Sequence, residues 1–148
     1  MTIAGLSLIG ILIALYLTLY KVGVIGSLTC SVGSCETVNT SRWATLLGLP
    51  VAAWGLAAYV ALFVLSMAGT ADRYVGSRTL SWLLVAIAAW SVIFSAWLTY
   101  IELFVIHAIC IWCVTSAVLL VVILVVSVVD LRSARGGELL PPQRLQRL

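Results

Sequence analysis

Thr79 to Val129 reads TLSWLLVAIAAWSVIFSAWLTYIELFVIHAICIWCVTSAVLLVVILVVSVV, an apolar stretch interrupted only by Glu102 and His107. As one helix it would overshoot a hydrocarbon core of about 30 Å more than twofold. It therefore reads as two membrane spans joined by a tight turn near Glu102 to Ala108. The second span opens on Cys110-Ile111-Trp112-Cys113. Cysteines three apart on a helix share one face, close enough to form a disulfide or hold a metal together. At about 1.5 Å of rise per residue, Cys113 lies roughly 4–5 Å deeper than Cys110. A dithiol so placed can present one sulfur to water and the other to a carrier dissolved in lipid.

The remainder of the chain agrees with a membrane setting. Of its 148 residues 64% are hydrophobic and 9% charged, with a net charge of +3 and a mean hydropathy of +1.22. A soluble domain is nearer half apolar and a quarter charged. So small and scattered a positive charge excludes a nucleic-acid interface. Met1 to Tyr20 is free of charge and long enough to span. No basic residue precedes Lys21, so the segment lacks the n-region of a cleaved signal peptide and reads as a permanent helix. A third apolar run extends from Trp43 to Ala71, and Pro50, suited to the first turn of a helix, sets the start of its span. The fold class is all-α: an integral membrane bundle of four transmembrane helices, with an outer loop and a short surface helix between the first two. Residues 1–131 form the four-helix domain and 132–148 a polar cytoplasmic tail containing Pro141-Pro142.

Four spans put both termini on one side. The 72–78 connection and the tail carry Arg73, Arg78, Arg132, Arg135, Arg144 and Arg147, against Lys21 and Arg42 on the other side. The positive-inside rule then makes both termini cytoplasmic. Cys30, Cys35, Cys110 and Cys113 all fall on the extracytoplasmic, oxidising side, where paired cysteines are expected.

Val22 to Gly48 is the polar stretch between the first two spans, and its glycines and small polar residues mark a loop. Ser41 to Leu47 is expected to form amphipathic turns on the membrane surface, with Trp43 as an interfacial anchor. Cys30 and Cys35 enclose Ser31-Val32-Gly33-Ser34, a flexible loop able to close or open a small disulfide ring, as thiol–disulfide exchange requires. Four cysteines allow three pairings, and spacing alone does not choose among them. Cys110 stands at a helix N-terminus, where free N–H groups favour the thiolate. A structural zinc site and two static disulfides are the bland alternatives. A CxxC at a bilayer surface favours redox exchange, with no metal.

The order of these motifs resembles the vitamin K epoxide reductase (VKOR) family. It runs Cys30 and Cys35, then Ser41-Arg42-Trp43, then Gly48-Leu49-Pro50 opening the second span, then CxxC opening the fourth. The likeness covers roughly Leu6 to Val129. The bacterial members are thiol oxidases, analogous to the DsbB type, which instead carries CxxC in its first outer loop. The resemblance implies a membrane thiol:quinone oxidoreductase that reoxidises a DsbA-like thioredoxin-fold protein and so supports disulfide formation. Cys30 would meet the partner, Cys35 would exchange with Cys110, and Cys113 would face the quinone. Ser41 would hydrogen-bond near the active cysteines. Val51 and Ala117 stand where vertebrate members hold the quinone through an Asn and a Tyr, and neither has a side-chain donor. The implied cofactor is a respiratory quinone (menaquinone or ubiquinone) held mainly by apolar contacts, with Trp54 as a further pocket residue. The implied location is the bacterial inner, or cytoplasmic, membrane.

Two ionisable residues stand apart from the motif. Glu102 is either a source of protons for quinol formation, as ionisable groups at membrane depth tend to be, or an exposed carboxylate of the outer turn. His107 is either an aid to the Cys110 thiolate or an interfacial residue. A reading from another class is a non-catalytic metal-binding or assembly protein with a cysteine-rich outer face.

Overall fold

The computed structural model describes residues 2–30, 34–70 and 77–138, the last few (134–138) by their backbone alone. The Ser31-Val32-Gly33 part of the cysteine loop, most of the 72–78 connection, and residues 139–148 of the tail lie outside the described residues. The elements run α1 (Thr2–Lys21), α2 (Cys35–Thr40), a 3-10 turn (Arg42–Ala44), β1 (Thr45–Leu46), β2 (Leu49–Pro50), α3 (Val51–Ala68), α4 (Arg78–Ile101), a π-helical turn (Glu102–Ile106) and α5 (Ile111–Glu138). Among the described residues, four helices are long and apolar enough to cross a membrane.

Their sequences are apolar on every face. Such helices are stable only where the outer face meets lipid or more protein. Leu12, Val64, Trp90, Ile93 and Val125 point outward from the bundle and are exposed, which leaves them to lipid. Inside, α1 packs chiefly on α3, and α4 on α5, with α1–α5 and α3–α4 closing the ring. The fold is an all-α, four-helix membrane bundle.

The interior has two layers. The larger is built from Ile3 and Ala14 of α1, Tyr59 and Leu62 of α3, Leu84 and Ala88 of α4, and Leu120 and Ile123 of α5. Its tightest approach is α1 on α3, where Gly10 lies flat against the Tyr59 ring. A methyl group there would overlap that ring, so only glycine permits the helices to come this close. Gly10→Ala is expected to destabilise the protein by about 1–3 kcal/mol, the cost of forcing extra volume into a packed core. Thermal unfolding in detergent measures it.

The second layer plugs the cysteine end: Ile13, Leu17, Leu28, Cys35, Val38 and Cys110. The loop above it contains more regular structure than its composition suggests. Residues 35–40 form a helical turn and a half. The expected amphipathic turns over Ser41–Leu47 reduce to one 3-10 turn, after which the chain reverses in a two-residue hairpin. Thr45 pairs with Pro50 and Leu46 with Leu49. Leu47 and Gly48 both have positive φ, 54° and 81°, as the tight primed turn joining such strands demands. The indole of Trp54 donates to the Leu46 carbonyl (3.3 Å) and ties the hairpin to α3. Arg42 stacks over Trp43, which meets Trp97 edge-on, an aromatic cluster suited to a membrane–water boundary.

Candidate active site

The site is assembled where the α1–α2 loop settles on the break between α4 and α5. At Glu102 the helix widens to a π turn, a form common at functional positions. The N–H groups of His107 and Ala108 both return to the Glu102 carbonyl. His107 then adopts a left-handed conformation, φ 53° and ψ 35°, and the chain runs extended to Cys110 before α5 begins. Ser34 N–H donates to the Ile109 carbonyl (2.9 Å), stitching the loop to this lead-in. On the far side, Thr29 N–H reaches the Tyr16 hydroxyl (3.0 Å), and the Trp112 indole donates to the Thr29 carbonyl (3.0 Å). Tyr16 and Trp112 meet edge-on at 5.6 Å. Thr29, the neighbour of Cys30, is thus clamped between α1 and α5.

Cys30 and Cys35 form a disulfide, with Cα atoms 6.3 Å apart, while Cys110 and Cys113 are free thiols. The two pairs meet at their buried members. Cys35 is 1% and Cys110 0% exposed, and both belong to the same apolar plug. Asn39 spans them, since its amide nitrogen donates to the Cys35 carbonyl (3.0 Å) and lies 3.9 Å from the Cys110 sulfur. The Asn39 carbonyl in turn accepts from the Lys21 ammonium (2.6 Å). The Cys113 thiol hydrogen-bonds to the Cys110 sulfur and holds Cys110 below the ordinary thiol value, against the opposing effect of burial. The thiol poised beside the loop disulfide is therefore the one nearest to being a thiolate, the form that attacks disulfides.

Beneath Cys113 lies a cavity of about 130 Å³, walled by α1, α3, α4, α5 and the 3-10 turn, with Leu17, Val51, Phe94, Leu98, Glu102 and Cys113 in its lining. A single water needs roughly 10–15 Å³ of such space, so the cavity has room for a flat organic ring. Cys110 does not line it. The pair thus divides, one sulfur toward the loop disulfide and one toward the cavity, and Cys110, expected to face water, is instead wholly buried under the loop.

The match to known sequences points the same way. The family described as "Vitamin K epoxide reductase family" matches residues 1–128 of the chain. The chain belongs to the VKOR family. VKOR proteins are membrane thiol–disulfide oxidoreductases, and this member, a multi-pass membrane protein, is one of them.

Other expected site residues of this VKOR member are distributed unevenly. Val51 lines the cavity, and so does Ser41, although the Ser41 hydroxyl donates to the Val38 carbonyl (2.7 Å), closing α2, and not to a cysteine. Trp54 is 42% exposed, its indole engaged with the hairpin. Ala117 is not among the lining residues, whereas its neighbour Ser116 is, held by the Tyr59 hydroxyl. Glu102 corrects the exposed-carboxylate reading. It is 5% exposed, and its carboxylate accepts the Cys110 N–H (3.3 Å). His107 is exposed, its ring against the Leu103 carbonyl (3.1 Å), and it does not approach Cys110. Asn39 is the residue that sequence reasoning missed. Its contact joins positions far apart in the chain, and an Asn in a polar loop carries no signal of it.

Proposed function

We propose that this VKOR protein reoxidises a DsbA-like thioredoxin-fold protein on the extracytoplasmic face and passes the electrons to a respiratory quinone. The observation that carries the reading is the division of the CxxC pair, with Cys110 buried beside Cys35 and Cys113 on the cavity wall.

A thiolate of the partner attacks Cys30, the more accessible sulfur of the loop disulfide, and Cys35 leaves as a thiolate. The partner's second cysteine releases Cys30 and leaves the partner oxidised. With the CxxC pair in its disulfide form, Cys35 attacks Cys110 across the Asn39 amide and Cys113 leaves. Cys30 then attacks Cys35, so that the loop disulfide re-forms and the electron pair comes to rest on the CxxC dithiol. The cavity fits a quinone ring in shape and polarity: an apolar wall supplied by Leu17, Val51, Phe94 and Leu98, with Cys113 at its edge. Bound there, a quinone supplies a two-electron acceptor. The chain's own residues exclude water from the ring and present Cys113 to it. Such an acceptor is needed on energetic grounds, because a strong thioredoxin-fold oxidant has a potential of about −120 mV and only something more oxidising can restore it. The loop disulfide argues against the metal-binding alternative, since zinc takes thiolates and those of Cys30 and Cys35 are bonded to each other.

The test is turnover of purified protein with a reduced DsbA-like donor and a panel of soluble ubiquinone and menaquinone analogues. Quinone bleaching stoichiometric with donor oxidation is the expected result. Stoichiometric zinc with all four thiols blocked, and no bleaching, overturns the reading in favour of the metal-binding one.

A further inference from the structure

The buried Glu102 carboxylate has no part in the relay of sulfurs. A carboxylate at this depth is costly unless it is hydrogen-bonded. Its visible bond, to the Cys110 N–H, satisfies one oxygen. It also lines the cavity alongside Cys113, whose thiol lies within its electrostatic reach. Around it the titratable groups are Cys110 and Cys113 from α5 and its lead-in, and Lys21 across the cavity from α1, occupied by the Asn39 carbonyl. No ion pair binds Glu102 to Lys21 among the bonds the structure shows. The carboxylate is thus placed between a thiol and the space beneath it, and among the described residues the cation nearest in the lining, Lys21, is held by the Asn39 backbone carbonyl.

We propose that Glu102 is the proton carrier of the reaction, taking the sulfhydryl proton of Cys113 and delivering it into the cavity. This rests on the quinone reading above. Closing the Cys110–Cys113 disulfide removes two electrons from the pair. Two sulfhydryl protons leave with them, and the Glu102 carboxylate accepts that of Cys113. The quinone takes up the two electrons and two protons. One proton comes from Glu102, which returns to the carboxylate. The other is drawn from the outer water, which receives the Cys110 proton in exchange. Charge and atoms balance, and no further reductant is required.

Glu102→Gln keeps an oxygen for the Cys110 N–H but cannot carry the proton. Its kcat is expected to fall by about 10²-fold, the lower end for loss of a general acid–base group, with KM for the quinone unchanged and Glu102→Asp recovering part of the rate. The second readout needs no quinone: the infrared difference spectrum between dithiothreitol-reduced and oxidised protein. The wild type should show a carboxyl band that changes with the redox state of the thiols and disappears in Glu102→Gln. Turnover of the Gln variant within twofold of wild type overturns the proposal. So does lost turnover with identical carboxyl bands in both proteins, which marks a purely structural role. A wild type that shows the band but reduces no quinone refutes the quinone reading and leaves the proton role of Glu102 standing. Should the Gln variant fail to fold, a shifted band in Glu102→Asp supports the proposal and an unmoved one overturns it.

Discussion

Cys113→Ala should abolish quinone reduction, by about 10³-fold or more, while the loop cysteines continue to react with the partner. Removing a reacting sulfur costs at least this order when the remaining groups act as a unit. The reason is position. Cys113 is the sulfur on the cavity wall, whereas Cys110 is wholly buried among Leu28, Cys35 and Val38. A second consequence follows for Cys110. Attacking Cys35 of the loop disulfide, it would form a Cys35–Cys110 bond and release Cys30. In the wild type Cys113 resolves this bond by attacking Cys110, closing the Cys110–Cys113 disulfide and freeing the Cys35 thiolate. The alanine variant lacks that resolving sulfur and returns only by Cys30 attacking Cys35. A fraction of the protein should therefore hold a Cys35–Cys110 bond detectable by peptide mapping under non-reducing conditions, the rest keeping the loop disulfide for the partner. Normal quinol production by Cys113→Ala would exchange the roles assigned to Cys110 and Cys113.

The bundle was legible because its signals are long and local. A spanning helix is declared by its own composition, so α1, α3, α4 and α5 could be bounded from Lys21, Pro50, the Asp72–Arg78 connection and the need to fold Thr79–Val129 in two. That the two sulfurs of the CxxC pair differ in depth was legible from helical rise, but the burial of Cys110 was not, because the loop that covers it is distant in the chain. The surroundings of that pair were not. Glu102 interrupts an apolar run just where a turn is needed, which reads equally well as exposed or buried. Only the π turn, folding the chain so that Cys110 N–H faces the carboxylate, decides it. His107 carries the same ambiguity and is turned outward by its left-handed backbone. Asn39 and α2 were missed for a different reason. Residues 35–40 are too few to show a period, and the amide's partners are brought near by the packing of α1 against α5. Ser41 shows the converse. A position carried over by resemblance lands on the cavity, yet its hydroxyl is engaged with a backbone carbonyl.

Cys35→Ala is expected to accumulate a reducible adduct with a thioredoxin-fold protein of the outer face, and Cys30→Ala is not. The loop disulfide is presented asymmetrically. Cys35, the first residue of α2, is sealed in the apolar plug, while Cys30 is only half-buried. The backbone just before it is pinned at Thr29 by Tyr16 and Trp112. An incoming thiolate therefore meets Cys30 first, and thiol–disulfide exchange proceeds through a mixed disulfide on the sulfur attacked. With Cys35 gone, the lone Cys30 thiolate can still attack the disulfide of an oxidised partner, whose second sulfur leaves as a thiolate, but no loop neighbour remains to release the adduct. Cys35 does not contact the partner in this scheme, so the double variant lacking both loop cysteines should give no adduct at all. Non-reducing gels followed by mass spectrometry of the linked peptides identify the sulfur involved. An adduct through Cys110 would mean that the partner reaches the CxxC pair directly. The path would then run from partner to α5 without the loop, leaving the Cys30–Cys35 disulfide a structural clasp over Cys110.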